Sequence, residues 1–582
     1  MIGASGPRTL RPPIMASRFV ASTNHYLATM AAVRILEAGG NAVDAGVAAG
    51  LCINVVQPDM TNLGGVAPII LYDAKSDDVV SISGVGSWPA AASIDFFMRE
   101  YDGVIQRGIH CVVLPAAVDC WLTALERYGT MTLGEVAASA IELADRGFPV
   151  NHFLAANLES VVEKISGWPS TAEIFLSRGR APKFGERLVQ RDLAHTLRML
   201  VEAETGASHI SREAGIRAAR DRFYTGDIAE RVARFYEEQG GFLTLDDLKQ
   251  FHVDVEQPVK ARYRGYDIYG CQPWCQGPTA LAALSILDGY DLASLGQGSA
   301  DSFHLILEAL KAAFSDREHY YGDPKFVDVP VAGLMNPDYA ATWRERIKTD
   351  TAFPDMPEPG DPWAFQAAPS GALRRPYTPP QPKVGPLDRD TSYLCIVDEH
   401  GNAFSATPSD VIEGSPIVPG LGFLVSGRGG QSVLDPNHPS SLAPGKRPRL
   451  TPNPGLIMRD GRLFAPYGTP GLDMQPQAMV QVAVNMIDYG MDPQAAIEAP
   501  RVATYSFPAS GQSRAYTPGL VRAEDRIPDD VLRELVRRGH NVERWPAFIP
   551  QAGSVCTAVV NHAEGTIVAG ADPRRLAYAM GW

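Results

Sequence analysis

The segment NAVDAGVAAGLCINVV at residues 41–56 most constrains the fold, because it joins a helix start to an almost wholly apolar body. Asn41 is a good N-cap, and Asp44 falls in the first turn, where a carboxylate suits the helix dipole. The preceding residues, Ala28 to Glu37, have helical apolar spacing and end at Gly39–Gly40, which predicts a separate helix. A helix that is apolar on all sides must be buried between layers. We therefore expect a layered protein.

Length and composition agree with a large soluble enzyme. A chain of 582 residues exceeds one ordinary core, so we expect several domains or one large layered unit. The formal net charge of -14 argues against a nucleic-acid partner, because nucleic-acid binders concentrate Lys and Arg on one face. The first residues carry Arg and Pro where a secretory signal needs an apolar stretch, and no segment has eighteen consecutive apolar residues. We expect a soluble, cytoplasmic protein with no membrane partner.

The cysteines do not predict disulfides or a zinc site. There are seven of them, an odd number without regular spacing, which is typical of buried thiols in a reducing compartment. Cys271 and Cys275 are separated by three residues, but no second Cys or His pair lies nearby.

A predicted helix carries the best alternative candidates for a metal site. Residues Ser302 to His319 have an amphipathic pattern with His304, Glu308 and His319. Because no third ligand has matching spacing, we interpret His304 and Glu308 as a polar pair at the surface or between layers. The sequence also lacks a Walker-type loop, a complete G-x-G-x-x-G fingerprint and a G-x-S-x-G elbow. We predict no cofactor and no metal.

Strand patterns occur on both sides of an irregular region. The residues VAPIILYDAKSDDVVSISG (66–84) predict two strands joined by a turn at Lys75 to Asp78, and Arg262 to Tyr269 predicts another strand. Residues 351–390 hold ten of the 46 prolines and few periodic apolar residues, which predicts a long linker.

A Thr stands directly after this linker, at the head of a predicted hairpin. Thr391 to Val397 forms a β-rich run, Asp398 to Asn402 a turn, and Ala403 to Thr407 the returning strand. A linker that ends on a Thr at the head of a buried hairpin is the arrangement expected where a chain cuts itself and must move the new end away.

Six sequence blocks resemble the γ-glutamyltranspeptidase family of N-terminal nucleophile (Ntn) hydrolases. The resemblance covers roughly residues 18–345 and 391–575 and keeps the family's order. The blocks are ILEAGGNAVDAGVAAGLCINVVQPDMTNLGG (35–65), FHLILEALKAAFSDREHYYGDP (303–324), DTSYLCIVDEHGN (390–402), APGKRPRLTPNP (443–454), YGTPGLDMQPQ (467–477) and IDYGMDPQAAIEAPR (487–501).

The resemblance implies an α+β fold, a four-layer αββα sandwich in which an inactive precursor cleaves itself between Asp390 and Thr391. The products are a large subunit, 1–390, whose residues 351–390 are the Pro-rich linker, and a small subunit, 391–582. The two together form one αββα unit. The cut chain is then a heterodimer of its own fragments, either alone or associated as a dimer of heterodimers.

The resemblance also assigns the catalytic groups. Thr391 supplies the nucleophilic hydroxyl, and its freed α-amino group, with a reference pKa of about 7.7 to 8.0, acts as the base. The backbone N–H groups of Gly471 and Leu472 match the family's oxyanion donors, which is tolerable if the Leu472 side chain points away from the site. A second hydroxyl beside the nucleophile corresponds to Thr407 or Ser409.

The substrate-binding positions depart from the family. The Arg that holds a γ-glutamyl carboxylate is replaced by Val85, and the acidic residue that holds its amine by Gln431. Arg428 stands where the family has a neutral amide, so its guanidinium is predicted to hold a carboxylate or oxo group bidentately. The alternative is a structural ion pair between Arg428 and Asp410 or Asp473.

Four residues form the predicted substrate-binding set: Arg428, Gln431, Asp410 and Thr451. Thr451 stands where the family has a serine near the oxyanion hole. The Arg428 change is similar to that in the family's amidohydrolase branch, which includes oxamate amidohydrolase. We therefore predict a self-processing amidohydrolase that cleaves a small amide, with a carboxylate-bearing one favoured.

Three alternatives stay open at this point. Within the same fold, the chain is a γ-glutamyl hydrolase or transferase, or a β-lactam side-chain acylase. From another class, it is an inactive homologue that serves in binding or assembly, and such a chain would never split.

Overall fold

The structure is a computed structural model that describes residues 9–367, 376–385 and 390–582. Two parts of the predicted linker, residues 368–375 and 386–389, lie outside the described residues. The helices within the described ranges are α1 Tyr26–Glu37, α2 Ala42–Val56, α3 Ile94–Glu100, α4 Ala117–Tyr128, α5 Leu133–Arg146, α6 His152–Ser166, α7 Pro169–Phe175, α8 Arg191–Ala207, α9 Arg212–Tyr224, α10 Asp227–Glu238, α11 Leu245–Gln250, α12 Gly277–Leu287, α13 Leu292–Leu295, α14 Ala300–Tyr320, α15 Val331–Leu334, α16 Pro337–Arg346, α17 Met474–Ile487, α18 Pro493–Glu498 and α19 Asp529–Arg537.

The strands within the same ranges are β1 Ile14–Ala16, β2 Val20–Thr23, β3 Ile69–Asp73, β4 Asp78–Ile82, β5 Phe148–Pro149, β6 Arg187–Leu188, β7 Val255–Glu256, β8 Val259–Tyr263, β9 Tyr266–Gly270, β10 Leu394–Val397, β11 Ala403–Ala406, β12 Gly455–Arg459, β13 Arg462–Gly468, β14 Val502–Thr504, β15 Leu520–Glu524, β16 Asn541–Trp545, β17 Cys556–Asn561, β18 Thr566–Ala571 and β19 Tyr578–Gly581.

Two large antiparallel sheets form the centre of the molecule. One has the order β1-β18-β17-β13-β12-β9-β8, and the other β19-β2-β10-β11-β3-β4-β7. An apolar cluster between the sheets contains side chains of both, such as Ile70 and Val397 from one and Leu456 and Ala558 from the other. Each strand that is buried on both faces is expected to be apolar throughout, as β10 is.

Helices cover the outer face of each sheet. Helices α1, α2, α4 and α5 contribute to one core with Leu394 and Phe404 of the second sheet. Helices α12, α14 and α17 contribute to another core with Ile268 and Ile457 of the first sheet. The layer order is therefore helix, sheet, sheet, helix, and the predicted αββα sandwich is confirmed.

Helix α2 forms as its sequence predicts. The Asn41 side chain accepts hydrogen bonds from the N–H groups of Val43 and Asp44, and the Asp44 carboxylate accepts one from the N–H of Asn41, which makes a capping box. Every residue of α2 is buried. Gly46 faces the ring of Phe404 on β11, where a Cβ would have no room. The helix is held between the sheet and its neighbouring helices, as an all-apolar helix requires.

Two predicted elements differ from the structure. The single strand expected over Arg262 to Tyr269 is a hairpin of β8 and β9, because Arg264 and Gly265 adopt positive φ values of 51° and 83° and reverse the chain. The helix expected over Ser302 to His319 forms as α14, but it is buried on all sides over Ser302–Arg317 instead of amphipathic. Its polar residues pair with one another and with the chain that follows α16.

All seven cysteines are free and buried. Within the described residues, no helix combines the length and the apolar character needed to cross a bilayer.

Candidate active site

Thr391 lies three residues before β10, in a tightly bonded stretch of backbone. Its N–H donates to the carbonyl of Met60 (3.1 Å), and the N–H of Ser392 donates to the carbonyl of Pro408 (2.9 Å). The Ser392 hydroxyl donates to Gln57 Oε1 at 2.6 Å. Residues 57–60 directly follow α2, so the buried helix positions the loop that holds the head of the hairpin. The Thr391 side chain is buried.

The backbone of Thr391 is strained. Its φ is +78°, a value that β-branched residues seldom adopt, because the branched Cβ is crowded there. Such outliers cost on the order of 1–3 kcal/mol and are common at functional sites. The strain lies in the torsion about the N–Cα bond of Thr391, which is adjacent to the 390–391 peptide bond of the predicted cleavage.

The Thr391 hydroxyl belongs to a buried network of four side chains. It lies 2.5 Å from Asp390 Oδ1 and 2.7 Å from the Ser409 hydroxyl. Arg428 closes the network, with Nη1 at 2.5 Å from Asp390 Oδ2 and Nη2 in a short contact with Ser409 Oγ. All four residues are at most 5% exposed. The structure thus places Ser409 against the predicted nucleophile and pairs Arg428 with the residue before the predicted cut.

Thr407 and Asp410 lie nearby without contacting the Thr391 hydroxyl. The Thr407 hydroxyl has no hydrogen-bond partner within the described residues. Asp410 Oδ1 accepts from the N–H groups of Val411 (3.1 Å) and Gly427 (3.3 Å). Burial raises the pKa of the Asp410 carboxyl, and the positive charge of Arg428 opposes that rise. Asp410 therefore contributes to the field around Arg428, although the ion pair of Arg428 is with Asp390.

A short 3₁₀ turn, Arg428–Gln431, connects the hydroxyl network to Thr451. The Gln431 amide oxygen accepts from the N–H of Thr451 (3.1 Å), and its nitrogen donates to the Thr451 hydroxyl (3.2 Å). Both residues are buried. One turn therefore places Arg428 at the nucleophile and Gln431 at the segment that packs against the predicted oxyanion donors.

Gly471 and Leu472 form an unusual turn between β13 and α17. Their φ values are +123° and +51°, and positive φ is uncommon for Leu. Within the described part of the chain, neither N–H donates to another protein group. Two adjacent free donors suit an oxyanion, as the prediction requires. Leu472 is 9% exposed.

Two residues that sequence reasoning missed hold this turn in place. Gln276, directly before α12, donates from Nε2 to the carbonyls of Leu472 (2.7 Å) and Thr451 (3.0 Å). Arg317 of α14 donates to Gln276 Oε1 (2.9 Å) and forms a buried ion pair with Asp473. Arg317 lies inside one of the six blocks, yet its spacing gives no sign of its target, which comes from a distant segment.

An apolar cavity opens beside the same turn. Its lining combines Gly471 and Leu472 with aromatic and other side chains, which include Phe153, Met474, Tyr505, Phe507 and Arg575. A cavity of this composition suits an apolar group with one polar or anionic end.

The alternative metal ligands lie elsewhere and in a different combination. His304 and Glu308 of α14 meet His540, with ligand atoms within 4.8 Å of one another, whereas His319 makes an edge-to-face contact with Tyr320. The ammonium of Lys311 lies 2.8 Å from Glu308 Oε1 and already supplies a positive charge to this carboxylate. His304 and Glu308 are thus connected through His540, which contacts both of them, and the structure supplies in His540 the third ligand that the sequence spacing did not show.

The chain belongs to the γ-glutamyltranspeptidase family, whose model matches residues 28–582. It is 33% identical over 571 residues to the glutathione hydrolase-like YwrD proenzyme of Bacillus subtilis (strain 168), covering 98% of this chain and 99% of that protein. It is 30% identical over 567 residues to the oxamate amidohydrolase proenzyme of Klebsiella pneumoniae subsp. pneumoniae, covering 96% and 97%.

A solved structure agrees with the fold. The cephalosporin acylase from Bacillus halodurans superposes with a TM-score of 0.85 at 28% identity, covering 100% of this chain and 99% of that one. The family and these relatives consist of enzymes that act on amide bonds. The predictions that the chain is such an enzyme, and that it has the Ntn-hydrolase fold, are therefore confirmed.

Proposed function

We propose that this chain is a self-processing amidohydrolase, which cleaves its own Asp390–Thr391 bond and then hydrolyses small carboxylate-bearing amides through an acyl-Thr391 ester. The observation that carries the proposal is the buried contact of the strained Thr391 with Ser409 and with the Asp390–Arg428 pair. The arrangement combines a nucleophilic hydroxyl, an arginine and a strained backbone at one peptide bond.

Turnover follows from the group that the cut creates. The freed α-amino group of Thr391, with a reference pKa of about 7.7 to 8.0, accepts the hydroxyl proton near neutral pH. The oxygen then attacks the amide carbonyl, and the N–H groups of Gly471 and Leu472 stabilise the oxyanion, each by roughly 3 to 4 kcal/mol. The amine leaves with the proton, and water releases the acid from Thr391.

The substrate class follows from Arg428. In the uncut chain the guanidinium of Arg428 donates hydrogen bonds to the Asp390 carboxylate and the Ser409 hydroxyl. When the cut frees Asp390 as the C-terminal residue of the large fragment and its side chain moves away, a buried guanidinium remains beside the nucleophile, and it needs an anionic partner. Val85, which replaces the family's carboxylate-binding arginine, is a buried apolar residue and offers no charge. A short amide with a nearby carboxylate, such as oxamate, fits this site.

A matched pair of substrates tests the role of Arg428. Oxamate has a carboxylate where oxamide has a second neutral amide. In cut enzyme, Arg428→Gln should raise KM for oxamate at least about tenfold, since a charge-assisted hydrogen bond contributes about 1.5–3 kcal/mol. Rates are normalised to the number of new Thr391 termini. Equal losses for oxamate and oxamide would assign Arg428 a structural role and remove the substrate proposal.

A second candidate, an acylase for larger side chains, is favoured by the apolar cavity beside Gly471 and Leu472. Its aromatic lining and Arg575 suit an acyl group that ends in a carboxylate, such as glutaryl. Faster hydrolysis of a glutaryl amide than of oxamate would favour the acylase. Activity on a γ-glutamyl anilide would favour the γ-glutamyl hydrolase or transferase.

A further inference from the structure

We propose that the Asp390 side chain is the proton acceptor for self-cleavage, a catalytic group that acts in that step alone and then becomes the C-terminal residue of the large fragment. The inference rests on the proposed self-processing and assigns a role to a residue that is otherwise only one side of the cut. It stands on the direction of the hydrogen bonds in the buried network.

Arg428 fixes that direction, because a guanidinium only donates. Its Nη2 donates to Ser409 Oγ, so the hydrogen of Ser409 is free to point at Thr391 Oγ1, 2.7 Å away. Thr391 then accepts from Ser409 and donates its own hydrogen to Asp390 Oδ1 at 2.5 Å. Each group therefore donates a hydrogen bond to the next, in the order Arg428, Ser409, Thr391 and Asp390.

Asp390 is the group at which this relay ends. An ionised carboxylate accepts only, and the other oxygen of Asp390 is held by Arg428 Nη1 at 2.5 Å. The other carboxylate nearby, Asp410, accepts through Oδ1 from the N–H groups of Val411 and Gly427, while its buried Oδ2 has no hydrogen-bond partner among the described residues and so is not bonded to the Thr391 hydroxyl. Among the described side chains bonded to Thr391 Oγ1, only Asp390 carries a carboxylate that can take its proton.

Atoms and protons balance in this reaction with water as the only added reactant. The Thr391 hydroxyl gives its proton to the Asp390 carboxylate while Oγ1 bonds to the Asp390 carbonyl carbon. The C–N bond of the 390–391 peptide then breaks, and the same proton passes to the Thr391 nitrogen, which leaves an ester and a free amine. Water cleaves the ester, restores the Thr391 hydroxyl and gives Asp390 a terminal α-carboxyl group.

Strain and burial support the same assignment. The φ of +78° at Thr391 is relieved when the 390–391 bond breaks, so the backbone favours the product. Asp390 and Thr391 are 4% and 1% exposed. A proton acceptor already in contact with the hydroxyl makes a water molecule unnecessary at the attack step.

The test measures cleavage of the full chain after cell-free synthesis, by intact mass over time. Asp390→Asn keeps the shape of the side chain but removes its charge and basicity, so cleavage should slow at least about a hundredfold, the usual contribution of a general base. Asp398→Asn is the matched control. Among the described residues, this buried carboxylate in the same hairpin accepts only from backbone N–H groups and the Asn402 side chain, and its variant should cut at the wild-type rate.

An Asp390→Asn chain that cuts within about threefold of wild type would overturn the inference and leave the proposed function intact. A wild-type chain that never cuts would instead sink the proposed function. If thermal unfolding shows that Asp390→Asn is poorly folded, the rate of cutting of Asp390→Ala is measured in formate, a small carboxylate that can replace the missing one. Faster cutting in formate than in equal chloride supports the inference, and equal rates contradict it.

Discussion

Thr391, assigned to attack, and Leu472, one of the two residues assigned to oxyanion binding, both have positive φ, which costs energy in a non-glycine residue. The surrounding hydrogen bonds hold each of them in place. Met60 accepts from the Thr391 N–H, and Gln276 donates to the Leu472 carbonyl. Residues far away in sequence therefore stabilise the site's least favourable backbone.

Gln276 gives a prediction at this scale. Gln276→Met keeps the length of the side chain but removes the hydrogen bonds to the carbonyls of Leu472 and Thr451. The Leu472 carbonyl keeps the Gln475 N–H as a donor, whereas the Thr451 carbonyl has no other donor among the described residues. Because an unpaired buried group costs about 1–3 kcal/mol, the free energy of unfolding should fall by at least about 1 kcal/mol. kcat should fall more than KM changes, since the oxyanion donors shift.

Urea unfolding and steady-state kinetics measure both effects. Gln272→Met is the matched control, because Gln272 lies on the same loop and donates to the Gln257 carbonyl in an exposed bond. Unchanged stability and kcat in Gln276→Met would show that the turn holds its shape without Gln276.

At the scale of elements, the sequence predicted what depends on local pattern. The capping box and the apolar body of α2 can be predicted from residues 41–56. The hairpin that follows Thr391 can be predicted from its turn at Asp398 to Asn402. The turn at Arg264–Gly265 was missed because an Arg with positive φ has no strong local signal. The burial of α14 was missed because its partners, such as His540, lie over 200 residues away.

The packing of His540 against α14 predicts a pH effect. Burial, together with the neighbouring Lys311, His304 and Arg538, lowers the pKa of His540 from its ordinary 6.5 to about 2. Below pH 6.5 the unfolded chain binds a proton that the folded chain does not bind. This residue's contribution to stability is therefore complete above pH 6.5 and declines as pH falls, by about 1.4 kcal/mol per pH unit.

His540→Gln removes this contribution, and groups that do not contact His540 titrate equally in both chains; the titration of His304, 2.9 Å from His540, changes with it. Between pH 6.5 and 5, the free energy of unfolding of the wild type should fall by roughly 2 kcal/mol more than that of the variant. Denaturant unfolding at several pH values gives the comparison. Parallel pH curves for the two chains would contradict the buried, uncharged state of His540.

At the scale of the whole molecule, the two predicted subunits are interleaved. Strands β10 and β11 lie between β2 and β3, with Leu394 opposite Thr23 and Ala406 opposite Ile69. In the other sheet, β12 pairs with β9 and β18 with β1. The αββα fold could be predicted from the resemblance. The contacts that join the two parts, such as that of Gln276 with Leu472, could not be predicted, because a local sequence pattern does not show which distant segment a side chain will contact.

Interleaving predicts that a cut chain stays together. Fragments 1–390 and 391–582 should co-elute in native size exclusion, at the volume of uncut Thr391→Ala, and separate only in denaturant. Separate elution in native buffer would contradict shared sheets. The elution volume relative to 62.8 kDa also shows whether the unit is single or a dimer of heterodimers. The cytoplasmic location stays a prediction.

Intact-mass analysis of the purified wild type beside Thr391→Ala shows whether the chain cuts itself at the 390–391 bond. We expect two fragments in the wild type, one ending at Asp390 and one beginning at Thr391, and one unbroken chain of 62.8 kDa in the variant. A folded wild-type chain that stays uncut would rule out self-processing and favour the inactive binding homologue. A Thr391→Ala chain that still splits at the same bond would remove Thr391 as the nucleophile.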